Sequence, residues 1–166
     1  MHTAFVCDVG GKSWRELRAE LEGRNVWVTK PVADLMAWWK GSRRRKVTFS
    51  ISSIADLGFT EKPTIGELLV RIEQYGTVCD FADGPFVRSV LEQQEGEYAL
   101  CPVRSLPEHD DCNVYHMGRS GEPTWLDIRS PTPEQTFALD KQVVFRHHTW
   151  STWLRSLLWR LIMAVL

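Results

Sequence analysis

The spacing of apolar positions switches between two periods along this chain. Thr3 to Val9 alternates as a short strand, closed by Gly10-Gly11. Ser13 and Glu16 have the spacing of a capping box, and the helix they open runs to about Glu22, where Gly23 ends it. Asn25 to Thr29 reads as a second strand. Pro31 suits the first turn of another helix, on which Val32, Leu35, Met36 and Trp39 share one face. Lys46 to Ile51 alternates, with Val47, Phe49 and Ile51 on the apolar side, and a helical turn is expected around Ile54 to Leu57. Thr64 and Glu67 form a second capping box for a helix from Thr64 to Tyr75, with Ile65, Leu68, Leu69, Ile72 and Tyr75 as its stripe. A further helix starts at Asp83 and runs on to near Gly96, presenting Phe86, Val87, Val90 and Leu91.

Beyond Gly96 the period of two dominates. Tyr98–Val103, Asn113–Met117, Thr124–Ile128 and Lys141–His147 read as strands separated by Pro, Gly and Asp clusters, with Gly118 and Gly121 bracketing a hairpin turn. The expectation is an α+β fold: a helical N-terminal half packed with an antiparallel C-terminal sheet. Residues 1–149 form a single domain in this reading, because Pro131-Thr-Pro133 is too short to separate two units.

Residues 150–166 add a terminal amphipathic helix to the expected fold. Trp150, Trp153, Leu154, Leu157, Leu158, Leu161 and Val165 share one side, and Arg155 and Arg160 lie opposite. Trp159 interrupts the polar face. A helix of this length spans about 25 Å, short of the roughly 30 Å hydrocarbon layer of a bilayer. Three destinations compete: the protein's own sheet, a partner protein, or the headgroup layer of a membrane. The contact set for either association is Trp150, Trp153, Arg155, Leu157, Trp159, Arg160 and Leu161.

Composition sharpens this only in part. Eight tryptophans among 166 residues is a high count, and the residue is favoured in cores and interfaces. The net charge of −1 gives no overall attraction to nucleic acid. Charge is nevertheless uneven: Lys40, Arg43, Arg44, Arg45 and Lys46 form a basic run, the stretch from Glu61 to Glu97 is acidic, and no acid follows Asp140. The basic run is a candidate phosphate contact, blind to sequence and sensitive to salt. The N-terminal residues lack a basic region followed by an apolar run, so reduced thiols and a cytoplasmic setting are expected, with a peripheral membrane position as the variant.

Candidate chemistry is sparse. His109, Cys112 and His116 are metal-ligand types, but their spacing matches no established zinc pattern, and four residues along a strand separate two of them by about 13 Å. Gly10-Gly11-Lys12-Ser13 resembles part of a phosphate loop without its earlier glycine, and a capped turn explains it equally. No cysteine has an assignable histidine base and orienting group. The sequence therefore leads us to expect a small non-catalytic protein, without cofactor, that binds another macromolecule, first of all a protein. Membrane anchoring by the terminal helix, nucleic-acid association through residues 40–46, and a metal-dependent enzyme are the alternatives.

Overall fold

The computed structural model describes residues 2–93, 96–104, 112–121 and 123–147. The elements follow the order β1 (Thr3–Val9), α1 (Trp14–Gly23), β2 (Val26–Val28), α2 (Lys30–Ala37), β3 (Arg45–Ser53), a 3-10 turn (Ala55–Leu57) and α3 (Ile65–Tyr75). They continue with β4 (Gly76–Thr77), α4 (Asp83–Val90), β5 (Tyr98–Val103), β6 (Asn113–Arg119), β7 (Thr124–Arg129) and β8 (Gln142–His147). Both capping boxes form. Ser13 Oγ accepts from the Glu16 amide at 3.3 Å while Glu16 accepts from the Ser13 amide at 2.7 Å. Thr64 and Glu67 repeat the exchange at 3.4 and 2.8 Å.

The arrangement of these elements corrects the expected fold. There is no helical half set against a separate antiparallel sheet. All eight strands among the described residues join one mixed sheet, curved into a half-barrel, in the order β1-β3-β8-β5-β6-β7-β2 with β4 paired to β8. The last strand among the described residues, β8, lies inside the sheet between β3 and β5, so both halves of the chain build its interior. Two pairings are parallel, β5 with β8 and β2 with β7. Register explains why the periodicities alone could not reveal this. Apolar alternation dictates which face a residue occupies, not which strand lies alongside.

Helices cover both faces. On one, Leu17 and Leu21 of α1, Val32 and Met36 of α2, and Phe86 and Val87 of α4 pack against Cys7, Cys101, Tyr115, Met117 and Leu126. On the other, Leu68 and Ile72 of α3 pack with Ile54, Leu57 and Phe137 against Leu100, Val114, Val143 and Phe145. Each fully buried large aliphatic or aromatic side chain here contributes about 1.5–3 kcal/mol by leaving water. Helix α4 approaches the sheet so closely that a Cβ on Gly84 would lie 2.2 Å from the Tyr115 ring, which explains a glycine inside a helix. Its N-terminal end is fixed by charge: the fully buried Asp83 carboxylate accepts two bonds from Arg146, at 2.6 and 2.9 Å, and one from the Asp80 amide.

Helix α4 is shorter than its apolar pattern predicts. It stops at Val90, and Leu91 is extended. Arg88 Nη1 donates to the Leu91 carbonyl at 2.7 Å, and Gln93 turns inward to donate to the Met117 carbonyl at 3.2 Å. Those side chains direct the chain back toward β5 before a further turn of helix can form. No helix among the described residues is long and apolar enough to cross a membrane.

Candidate functional site

The terminal set Trp150, Trp153, Arg155, Leu157, Trp159, Arg160 and Leu161 lies outside the described residues, as does His109. The basic run precedes and opens β3, and two of its five cations are engaged. Arg44 pairs with Asp8 at 2.8 Å, and Arg45 pairs with Asp80 at 3.0 Å, joining the network that holds Asp83. The Arg44 pair keeps the Asp8 carboxyl below its ordinary value. Lys40 and Arg43 line an open hollow with Gly11, Lys12 and Ser13. That hollow faces the α1 N-terminus, where the Ser13 and Glu16 amides are engaged in the capping box, and Lys12 pairs with Glu20. The glycines there serve packing: both take positive φ, the Gly11 amide donates to Ser42 O at 2.7 Å, and a Cβ on Gly10 would meet Ser42 and Arg43 within 2.8 Å.

The thiols are equally unsuited to nucleophilic chemistry. Cys7, Cys79 and Cys101 are buried and Cys112 is half-buried. Burial raises the Cys7 thiol to about 12 and lifts Cys79 and Cys112 above their ordinary range, away from the thiolate form. Among the described residues, no three His, Cys, Asp or Glu side chains cluster as metal ligands would.

The feature that does assemble is a row of aromatic rings. Register places Tyr98 of β5 opposite Gly118 of β6, Gly118 opposite Trp125 of β7, and Trp125 opposite Trp27 of β2. Residues directly opposite share a sheet face, so these four positions form one line across four strands. It runs on the face that α3 covers farther along, and it ends on the edge strand. Gly118 is what lets the rings meet. A Cβ there would lie 2.5 Å from the Trp125 indole, which instead lies over the glycine and reaches Tyr98 at 5.4 Å between ring centroids. Lys141 Nζ sits 4.6 Å from the centre of the Tyr98 ring, a cation–π contact at the inner end. At the outer end Trp27 is 63% exposed.

The neighbouring line of residues is polar but uncharged overall. His116 and Asp127 are opposite one another, and Thr29 donates to Asp127 at 2.7 Å. Arg129 neutralises Asp127 at 2.8 Å. His116 is buried, its Nδ1 meets the Tyr98 hydroxyl, and its Nε2 has no partner among the described residues. Burial, aided by Arg129, lowers its pKa to about 4, so it is neutral near pH 7. The site is therefore an aromatic strip, neutral apart from Lys141, with a rigid sheet beneath it.

Sequence reasoning passed over this strip. Gly118, which the pattern places at the flank of a hairpin turn, lies inside β6, and nothing in the sequence sets Trp27 and Trp125 apart from the other tryptophans. The signal is present as three aromatic residues on three expected strands and a glycine just past the end of a fourth, but it becomes legible only once those strands are aligned. Comparison of the chain with family models, with curated proteins and with solved structures yields no match.

Proposed function

We propose that this is a non-catalytic binding protein whose partner is another protein, engaged across the aromatic row from Tyr98 to Trp27. The observation that carries this reading is the strand register, which sets four positions in line and leaves an indole open to water at the sheet edge. Tryptophan and tyrosine are the side chains most enriched where protein interfaces concentrate their binding energy, since each offers a large rigid apolar body with one polar atom. The neutrality of the strip favours a protein over nucleic acid. Phosphate contacts need several unpaired cations, whereas Arg129 here is already bound to Asp127.

Affinity capture from native extract tests the reading with three forms of the chain: wild type, Trp27→Ser, and Val70→Ser. Val70 is as exposed as Trp27 but lies on α3. Proteins retained by the wild type and by Val70→Ser should bind Trp27→Ser roughly thirtyfold more weakly or worse, as expected for an exposed aromatic anchor of the interface. Equal retention by all three forms contradicts the proposal, and so does retained material that nuclease removes.

A further inference from the structure

A separate cavity of about 660 Å³ opens beside the end of α4, walled by β2, β7 and the end of β6. Its lining contains two deeply buried polar side chains with unfilled hydrogen-bonding capacity. Arg88 is 5% exposed; Nη1 donates to Leu91 O, Nε has no partner, and no carboxylate among the described residues pairs with it. Gln93 is 7% exposed; its Nε2 donates to Met117 O at 3.2 Å, and its Oε1 is unpartnered. A buried guanidinium and a buried carbonyl oxygen left in this state are costly, and a protein retains such groups where something else completes them.

The two groups specify different halves of a ligand. Arg88 calls for an oxyanion, which can take the guanidinium edge that Leu91 leaves open. Gln93 calls for a donor. Its amide cannot be reversed to offer N–H instead, because the Met117 carbonyl requires Nε2 where it is. Near these groups Arg119 donates to the Gln93 backbone carbonyl at 3.4 Å, adding positive charge to the wall. Glu92 and Glu97 also line the cavity, so its walls carry both signs. Mixed walls suit a monoanion or a zwitterion and oppose a dianion such as phosphate.

We propose that this cavity binds a small carboxylic acid bearing a hydroxyl or ammonium donor next to the carboxylate, a hydroxy acid or an amino acid. The carboxylate docks on Arg88 and the donor on Gln93 Oε1. The volume admits acids larger than lactate or alanine, so those two serve as probes of the recognition head.

Titration calorimetry on the full chain with L-lactate, L-alanine, acetate and inorganic phosphate tests this. At least one of lactate and alanine should bind at millimolar concentration, with acetate and phosphate weaker by about tenfold or more, the usual cost of leaving a buried hydrogen bond unmade. Arg88→Met should abolish binding while the chain stays folded, since it exchanges an unpaired buried cation for an apolar chain of similar length. Gln93→Leu provides a second reading that leaves Arg88 intact: it should bring the preferred acid down to the acetate level and leave acetate unchanged. The proposal is overturned if neither acid binds at tens of millimolar, if acetate or phosphate binds as tightly as the preferred acid, or if either variant binds like the wild type.

Discussion

His116 shows how one residue couples fold and surface. It sits beside the aromatic row on the same sheet face, touches the Tyr98 hydroxyl, and faces Asp127 and Arg129. Its folded pKa, about 4, lies below the ordinary 6.5, so the folded state resists protonation and the unfolded state accepts it. The stability it confers is complete above pH 6.5 and disappears as the pH falls toward 4, a loss on the order of 3 kcal/mol from this residue alone. Urea unfolding at pH 7.0 and 4.5 should therefore show a smaller acid loss for His116→Phe than for the wild type. An unchanged difference would mean that His116 is not held neutral by burial. Gly118 is the companion case. Nothing in the local sequence distinguishes a turn glycine from one that leaves room for an indole on the next strand, so its role became visible only with the register.

Individual elements were far more legible than single side chains. Both capping boxes were readable because the signal is local: a hydroxyl and a carboxylate three residues apart satisfy amides that no helix bond can reach. Thr64→Ala should cost about 1 kcal/mol by chemical denaturation, since the Glu67 amide loses its acceptor and Glu67 loses the hydroxyl that positions it. A change below about 0.2 kcal/mol would show the cap to be redundant with the packing of Leu68 and Ile72. The end of α4 was illegible for the opposite reason. Its apolar period continues past Val90, and what stops it is a long-range bond from Gln93 to Met117 on β6. Helix ends set by local chemistry can be read from sequence, while ends set by tertiary contacts cannot.

At the scale of the whole molecule, strand identities were readable and their order was not. The short β2 lies between two helices, and β8 lies near residue 145, yet the sheet places β2 at one edge and β8 in the interior between β3 and β5. This interleaving builds the aromatic row, because Trp27 reaches Trp125 only through the parallel pairing of β2 with β7. The same layout leaves Trp38, at the end of α2 and 86% exposed, away from the row, since α2 packs on the opposite sheet face. Trp38 is thus a built-in control. The most direct measurement is oxidative footprinting of the protein, free and bound to a captured partner, read by mass spectrometry at each tryptophan. The account predicts protection of Trp27 and Trp125 on binding with Trp38 unchanged. Protection of Trp38 with Trp27 still fully oxidised would contradict it.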